Sequence, residues 1–459
     1  MLKNYFKLDE LNTNVRTELL AGVTTFLTMS YIIFVNPLFL SFFGDPALKA
    51  KALPFSASLT ATCISAALMC IIMGLWTNYP FALAAGMGLN AIVAYQMVLG
   101  MGLSWPSAMG VIVLEGIIIT ILVITGFREA VMNAIPLSLK QAISVGIGLF
   151  IAFIGLVQAG FVQKSETTLV ALGSFDNLRV VVAIFGLLLT AILLKAKVKG
   201  ALLIGILGST VLAIFINYIS GLTAFTDPNI AKLPSSFLSM PDFSTIGRFD
   251  FYAISKLGVV TATILVFSVM LSDFFDTLGT VIGLGSEAKF LDQKGRLPRI
   301  NRVLLVDSLS AVAGGASSAS SVTTYIESAA GISAGGRSGL TTVVVGIFFL
   351  LAVFLSPIAG VVPKEATAPV LIIVGFLMLS IVKELPFEKF EEAFPAFLIM
   401  IVMPLTYSIS NGIGFGFIAF TLIKLLSGKG REVHWLMYLV SLAFAVDFAV
   451  PALKSLFGF

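Results

Sequence analysis

The sequence predicts an all-α polytopic membrane protein with fourteen transmembrane spans arranged as a seven-plus-seven inverted repeat. Three observations lead to this prediction. Of the 459 residues, 58% are hydrophobic and 11% are charged, whereas a soluble domain has about 25% charged residues. Apolar runs close to the roughly 20 residues that cross a bilayer recur along the whole chain. Two of these runs are interrupted in the same way, seven spans apart.

The predicted spans follow one another closely, and one more apolar segment follows the last of them. They are 18–43, 55–76, 80–98, 106–127, 139–161, 178–195, 199–221, 257–285, 302–319, 321–336, 339–362, 366–383, 391–409 and 411–427. We interpret segment 433–457, which contains Asp447, as a C-terminal helix at the interface or against the bundle. The chain has one histidine, His434, which argues against His-based zinc sites and Ser-His-Asp triads.

The basic residues indicate how the chain is oriented in the membrane. Lys and Arg concentrate in the connections that are cytoplasmic when the N-terminus is inside, and the most basic of these is 286–301. An even number of spans then places both termini in the cytoplasm. We therefore expect a multi-pass protein of the cytoplasmic (inner) membrane. The net charge of +4 is attributed to this topology and not to nucleic-acid binding.

The interrupted spans are "NYPFALAAGMGLNAIVAY" (78–95) and "SSVTTYIESAAGISAGGRSGL" (320–340). Both are rich in Gly, Ala, Ser and Thr, and each predicts a short extended stretch that leads into a half-helix. Irregular backbone at membrane depth is tolerated only where it is buried in protein or lines a cavity. Such a pair in corresponding halves points to a transporter binding site. The two are the third and the tenth predicted spans. Because they are seven spans apart, an odd number, the second half of the chain must be inverted in the membrane relative to the first.

Acidic residues occur inside the predicted spans. Asp273 and Asp276 are three apart in span 8 and therefore share a helix face, and Glu327 lies where the extended stretch of span 10 becomes helical. An aspartate at the bilayer centre costs about 2.5–3.5 kcal/mol, so intramembrane acids are functional hypotheses by default. The structural alternative is that Glu327 caps the half-helix and Asp273 holds a neighbouring backbone. Glu115 and Asp307 are equally compatible with structural and functional roles.

Polar and small residues of span 3 complete the candidate site. Asn90 lies one turn into its half-helix, and Gly86 and Gly88 allow a ligand or backbone to approach closely. Two carboxylates facing a cavity select against anions and suit a cation, a proton or a neutral molecule with several N–H groups. A purine or pyrimidine edge has that geometry. Its planar ring also needs an apolar wall, for which the candidates are Phe26, Phe274 and Tyr325.

At these residues the sequence resembles the nucleobase–cation symporter-2 superfamily, and specifically the azaguanine-type (AzgA-like) purine permeases. The resemblance covers nearly the whole chain. Its motifs are "TELLAGVTTFLTMSYIIFVNP" (17–37), "GMGLNA" (86–91), "DFFDTLGT" (273–280), "TTYIESAAGI" (323–332) and "GGRSGL" (335–340). Together they are highly specific, although each one alone is weak.

The resemblance implies a core domain, a gate domain and a substrate between them. The core domain would comprise spans 1–4 and 8–11, at 1–127 and 257–362. The gate domain would comprise spans 5–7 and 12–14, at 128–256 and 363–427, followed by the C-terminal helix at 428–459. The family often dimerises through its gate domain, so a homodimer is expected.

The resemblance also assigns residues to the substrate site. The acidic residue of span 8 falls on Asp276, and the glutamate of span 10 falls on Glu327. Further substrate contacts are expected at Gly88, Asn90, Tyr325, Ile326, Thr280, Thr25, Phe26 and Met29. The superfamily often has His or Asp near the position that is Thr280 in this chain. Because this chain has Thr there, a histidine relay is absent, and the coupling proton must reside on a carboxylate, Asp276 or Glu327. Asp273 is expected to be a structural polar residue.

The function expected from the sequence is proton-coupled import of a purine nucleobase, namely hypoxanthine, guanine or adenine. No cofactor, metal or enzymatic activity is expected. One alternative is an anion transporter of the same fold, for bicarbonate or sulfate, which would need a cation at the half-helix N-termini. Another is an intramembrane aspartyl hydrolase with two acids on adjacent helices. That enzyme would need a water-filled acid pair and a groove for a peptide.

Overall fold

The computed structural model describes residues 2–125, 135–222, 224–225, 230–234, 236–292 and 297–457, and this part of the chain is predominantly helical. Its α-helices are α1 (Leu2–Tyr5), α2 (Val15–Met29), α3 (Ile32–Leu40), α4 (Phe55–Thr77), α5 (Met87–Ala91), α6 (Trp105–Ile124), α7 (Leu137–Gln158), α8 (Leu178–Lys195), α9 (Ala201–Ile219), α10 (Tyr252–Leu257), α11 (Val259–Glu287), α12 (Ile300–Ser317), α13 (Ser328–Ser333), α14 (Gly339–Ala352), α15 (Ser356–Gly360), α16 (Lys364–Leu379), α17 (Phe390–Thr406), α18 (Ile409–Leu426) and α19 (Trp435–Phe457). A π-helix, Ile92–Gly100, continues α5. The strands are β1 (Leu83–Ala85), β2 (Val162–Ser165), β3 (Leu169–Leu172) and β4 (Val322–Thr324).

Many of these helices are suited to a lipid bilayer. Within the described ranges, 9 helical segments are long and apolar enough to cross a membrane: Val15–Leu40, Phe55–Thr77, Trp105–Ile124, Leu137–Gln158, Leu178–Lys195, Ala201–Ile219, Gly339–Gly360, Lys364–Glu384 and Ile409–Leu426. Each overlaps a predicted span. The remaining predicted spans also contain helices, namely α5 with its π-helical continuation, α11, α12, α13 and α17. The chain is therefore a multi-pass membrane protein.

The first predicted span, 18–43, is not one continuous helix. It divides into α2 and α3 at Ser30 and Tyr31. The hydroxyl of Thr28 donates to the backbone carbonyls of Thr24 and Thr25 at 3.2 and 2.8 Å. Such side-chain hydrogen bonds compete with those of the helix backbone and often bend the helix. The break places Tyr31 at the start of α3, fully buried within the bundle.

The two interrupted segments pair with each other through short strands. β1 and β4 are antiparallel, with Leu83 opposite Thr324 and Ala85 opposite Val322. The pairing extends beyond the strands, because the N–H of Tyr325 donates to the carbonyl of Ala82 at 2.9 Å. Backbone groups with no helical partner are thereby satisfied away from water, as the bilayer requires. The extended stretches predicted for spans 3 and 10 are present, each leading into a short helix.

The described helices pack in two sets, with α11 between them. One set includes α2, α4, α6, α12 and α14, and the other includes α7, α8, α9, α16, α17 and α18. Glycines permit the closest approaches within each set: a Cβ on Gly339 of α14 would lie 1.9 Å from the carbonyl oxygen of Gly74 on α4. In the second set, a Cβ on Gly375 of α16 would lie 2.3 Å from the carbonyl oxygen of Gly148 on α7. Small residues at such crossings are typical of membrane bundles.

Two further elements lie at the edges of the bundle. A β2–β3 hairpin in the connection after α7 was not predicted from the sequence. The C-terminal helix α19 packs against α18 and α11. Thr261 of α11 donates a 2.9 Å hydrogen bond to Asp447, and the hydroxyl of Ser441 donates to the carbonyl of Phe417 at 3.0 Å. In the structure this segment therefore packs against the bundle.

Candidate substrate-binding cavity

A cavity of about 100 Å³ lies where the two interrupted segments meet α11, α7 and α16. Its described lining consists of Tyr31, Gly86, Met87, Gly88, Leu89, Ile147, Ser272, Asp276, Thr280, Thr324, Tyr325, Ile326, Glu327, Val374 and Met378. The second set contributes Ile147 of α7 and Val374 and Met378 of α16, and the other lining residues lie on or beside α3, α5, α11 and β4. None of these residues is basic, and Asp276 and Glu327 are the acidic ones.

Glu327 reaches the cavity from the end of the extended stretch after β4. It occupies the N-cap position of α13, but its side chain makes no capping hydrogen bond. Instead, the hydroxyl of Tyr31 donates to Oε1 of Glu327 at 2.7 Å, and the hydroxyl of Thr28 donates to the Glu327 carbonyl at 3.3 Å. The break between α2 and α3 therefore positions this carboxyl group. The Glu327 side chain therefore does not cap the half-helix, in contrast to the structural alternative considered from the sequence.

Asp276 reaches the cavity from the middle of α11, where it is half-buried. Ser272 and Thr280 lie one turn before and after it and line the same cavity, because residues four apart share a helix face. The hydroxyl of Ser272 is buried and has no hydrogen-bond partner among the described residues. This face of α11 therefore presents one carboxyl group flanked by two hydroxyl groups.

Gly88 and Tyr325 shape the remaining wall of the cavity. A Cβ on Gly88 would lie 2.6 Å from Cγ2 of Ile147 on α7, so the absence of a side chain allows α5 and α7 to approach. The hydroxyl of Tyr325 donates to the carbonyl of Ala85, which ties the end of β4 to the end of β1. Ile326 follows Tyr325 in the lining and is exposed.

Four of the residues predicted to contact substrate lie outside the described lining. Asn90 and Thr25 are fully buried, and their side-chain polar atoms have no hydrogen-bond partner among the described residues. Met29 is also fully buried. The ring of Phe26 stacks on Phe348 with centroids 5.2 Å apart.

Thr25 instead packs beneath the second half-helix. A Cβ on Gly331 of α13 would lie 2.1 Å from Oγ1 of Thr25. Phe274, considered as an aromatic wall, is buried outside the described lining.

The other intramembrane acids also lie outside the cavity. Asp307 on α12 accepts hydrogen bonds from the Thr277 hydroxyl at 2.6 Å, and from the N–H and hydroxyl of Thr324 at 2.9 and 2.7 Å. It therefore fastens β4 to α12 and α11. Asp273 on α11 and Glu115 on α6 are both buried, and Oδ1 of Asp273 and both carboxyl oxygens of Glu115 have no hydrogen-bond partner among the described residues.

Sequence reasoning missed several lining residues, of which Tyr31 is the most informative. A tyrosine in an apolar span is a weak signal, and its pairing with Glu327 depends on the break between α2 and α3. The apolar lining residues Met87, Leu89, Ile147, Val374 and Met378 carry no local signal that distinguishes them from packing residues.

A buried acid outside the described lining, Glu18, was also missed. It is fully buried and accepts from the N–H groups of Arg337 and Ser338 at 2.9 and 3.2 Å, before α14 begins.

The chemistry of the cavity suits a small ligand that donates hydrogen bonds. Carboxylates accept hydrogen bonds and repel anions, and no basic side chain of the described lining offsets Asp276 and Glu327. The described residues contain no group of three or more His, Cys, Asp or Glu that could hold a metal ion. A cation, a proton or a molecule with N–H donors is therefore the expected type of ligand.

The fold is that of a multi-pass membrane protein with an internal cavity. The transmembrane domain of the cyanobacterial bicarbonate transporter BicA has a similar structure, with a TM-score of 0.62 at 13% sequence identity over 87% of this chain and 97% of that chain. The inward-facing murine Slc26a9 anion transporter matches with a TM-score of 0.62 at 12% identity over 90% of this chain and 69% of that chain. At these identities the similarity shows the fold alone.

The chain belongs to the nucleobase–cation symporter-2 family, whose sequence model, described as "Permease family", matches residues 16–415. It is 41% identical to the guanine/hypoxanthine permease PbuG of Bacillus subtilis, over 97% of this chain and 99% of that protein. It is 40% identical to the adenine permease AdeP of Escherichia coli, over 97% of this chain and 95% of that protein. The chain is thus a transporter and not an enzyme.

Proposed function

We propose that this protein is a proton-coupled symporter that imports a purine nucleobase, namely hypoxanthine, guanine or adenine, across the cytoplasmic membrane. The observation that carries the proposal is the convergence of Asp276 and Glu327 on one small cavity whose described lining has no basic residue. The names of the guanine/hypoxanthine and adenine permeases to which the chain is similar support a purine substrate.

Glu327 and Asp276 are proposed to bind the purine through its N–H groups. A carboxylate accepts two hydrogen bonds side by side, which fits adjacent N–H donors on a ring edge. Tyr31 already donates to Oε1 of Glu327, and the two carboxylate oxygens together can accept further hydrogen bonds from the ligand. Gly88, Tyr325, Ile326 and Thr280 would complete the contacts. Asn90, Thr25, Phe26 and Met29 are assigned a supporting role behind the half-helices.

Asp276 is proposed to carry the coupling proton. The position that often holds His or Asp in the superfamily is Thr280 in this chain, so a carboxyl group must bind the proton. Protonation of Asp276 would neutralise α11 at the cavity. A neutral loaded site crosses a low-dielectric environment at lower cost than a charged one. The driving force for uptake would then come from the proton gradient.

The moving parts are proposed to be a core domain (1–127 and 257–362) and a gate domain (128–256 and 363–427). Fourteen spans in an inverted repeat, with both termini in the cytoplasm, would place the substrate between these domains. The two packed sets of helices support this division, because the first set falls within the proposed core domain and the second within the proposed gate domain. A homodimer through the gate domain completes the proposal.

Uptake into proteoliposomes tests this function. Purified protein should accumulate radiolabelled hypoxanthine, guanine or adenine when the outside is acidic, and a proton ionophore should abolish the accumulation. The fold is shared with bicarbonate and other anion transporters, so labelled bicarbonate and sulfate serve as comparison substrates. Anion uptake without purine uptake would contradict the proposal. Competition by a panel of unlabelled bases would then identify the preferred purine.

A further inference from the structure

Gln96 joins the first interrupted segment to the start of α18. It lies on the π-helix Ile92–Gly100, beyond the cavity-lining Leu89 on the same segment, and its side chain is buried. Its Nε2 donates to Oγ of Ser410 at 2.7 Å, and its Oε1 accepts from the N–H of Ile409 at 3.1 Å. Both ends of one buried amide are therefore bonded to the first turn of α18, where backbone N–H groups have no partner within the helix.

Tyr95, the preceding residue, makes a second contact with the same set of helices. Its hydroxyl accepts a 3.2 Å hydrogen bond from Nε2 of Gln158, the last residue of α7. Its ring centroid lies 5.6 Å from that of Tyr407 and 6.1 Å from that of Phe39 on α3. Tyr95 therefore connects α3 to the ends of α7 and α17.

The backbone is unusual on both sides of this contact. Ile92–Gly100 is π-helical, a rare geometry that is frequent at functional sites. Opposite it, Tyr407 ends α17 in the left-handed region, with a φ of 50°. A non-glycine residue keeps such a conformation only where its surroundings hold it, and such residues cluster at switch regions. The rings of Phe150 and Phe153 on α7 hold Tyr407, with centroids 5.8 and 5.5 Å away.

We propose that Tyr95 and Gln96, with their partners Gln158, Tyr407 and Ser410, form a latch that closes one end of the boundary between the core and gate domains and opens in each transport cycle. The inference rests on the proposed function, because it needs two domains that move relative to each other. With both termini in the cytoplasm, as proposed, the latch faces the outside.

The chemistry of the latch suits a contact that breaks and forms again. Its hydrogen bonds join neutral amide, hydroxyl and backbone groups, and each such bond contributes little net free energy. A purine that arrives from the latch side would reach the cavity only after these bonds break. The latch therefore assigns a function to polar residues that lie outside the described lining of the cavity.

Distances between two spin labels test the latch without requiring transport. The labels are attached through Lys51→Cys and Lys164→Cys, at exposed positions of the proposed core and gate domains. The full-length protein is studied in lipid, with its buried Cys63 and Cys70 replaced by alanine. Gln96→Leu removes both amide hydrogen bonds at a similar volume and should add a longer distance. The ratio of open to closed molecules should rise at least about fivefold, the effect of one net hydrogen bond.

Gln141→Leu is the matched control. The amide of Gln141 donates to Glu384 at 3.0 Å, a bond within the proposed gate domain, so this variant should keep the wild-type distances. If Gln96→Leu does not fold, Ser410→Ala and Tyr95→Phe each remove one bond of the latch and should shift the ratio in the same direction. Wild-type distances in Gln96→Leu, or in both of these variants, would overturn the proposal.

The same labels report whether the latch opens during transport. Under conditions of purine exchange, the protein with an intact latch should itself populate the longer distance. A protein that transports purine without populating this distance would also overturn the proposal. Absence of purine uptake by the wild type would reject the proposed function, whereas the label distances, measured without substrate, decide on the latch independently.

Discussion

The hydroxyl of Tyr31 donates a 2.7 Å hydrogen bond to Oε1 of Glu327, across 296 positions of the sequence. Tyr31 lies at the break between α2 and α3, and Glu327 lies immediately before α13. The bond therefore joins the irregular part of the first span to the second interrupted segment. It also holds the Glu327 carboxyl group in one orientation at the cavity.

Tyr31→Phe is expected to weaken purine binding while leaving the fold intact. The substitution keeps the ring and removes the donor that orients Glu327. A hydrogen bond to a charged group contributes about 1.5–3 kcal/mol, so a loss of at least about tenfold in affinity is expected by calorimetry. Tyr79→Phe is the control, because the Tyr79 hydroxyl donates to the carbonyl of Pro298 and Tyr79 is outside the described lining. Equal affinities of the two variants would contradict a positioning role for Tyr31.

Glu327→Gln is expected to abolish or strongly weaken purine binding. The amide keeps the shape of the side chain but loses the charge and one acceptor. The lost charge-assisted hydrogen bond should cost about 1.5–3 kcal/mol, and therefore at least about tenfold in affinity. Glu365→Gln is a suitable control, because Glu365 is a buried acid outside the described lining. Near-wild-type affinity of a folded Glu327→Gln protein would exclude Glu327 as a substrate ligand.

Asp276→Asn is expected to separate substrate exchange from proton-driven accumulation. The amide resembles the protonated acid, so the variant should still exchange labelled for unlabelled purine in proteoliposomes. It should not concentrate purine when a pH gradient is imposed. Asp273→Asn, one turn away on α11, should still accumulate purine. If Asp276→Asn accumulates purine with an unchanged pH profile, the coupling proton resides elsewhere.

Gly88→Ala is expected to impair transport by a steric effect that a second substitution reverses. The added Cβ would lie 2.6 Å from Cγ2 of Ile147, so one of the two helices must shift. Overpacking of this kind typically costs about 1–3 kcal/mol. Ile147→Ala removes the opposing methyl group, and the double variant should recover uptake relative to Gly88→Ala. Strictly additive losses in uptake would show that the two residues do not interact.

Asp307→Ala is expected to reduce thermal stability. Asp307 accepts three hydrogen bonds that fasten β4 to the neighbouring helices, and a buried donor left without a partner costs about 1–3 kcal/mol. Asp45→Ala is the control, since the exposed Asp45 side chain accepts one hydrogen bond from the N–H of Ala47. A melting temperature of Asp307→Ala as high as that of the control would contradict this structural role.

The sequence by itself determined the features that depend on local composition. Apolar length identified the membrane spans, because the cost of exposing polar groups to lipid acts on each segment separately. Gly, Ala, Ser and Thr in two apolar runs predicted the interrupted segments that the structure contains. Acidic residues in apolar surroundings, such as Asp276 and Glu327, identified the candidate site, because an acidic side chain within a membrane span is costly and therefore indicates a function.

Only the tertiary structure decided which side chains meet. Tyr31 bonds to Glu327 and Gly88 faces Ile147, yet the members of each pair are far apart in the sequence. Hydropathy constrains the length of a membrane helix but hardly its rotation, since most of its faces are apolar whether they meet lipid or protein. The rotation of α11 and the break before α3 are set by packing between helices, and they determine which polar groups reach the cavity.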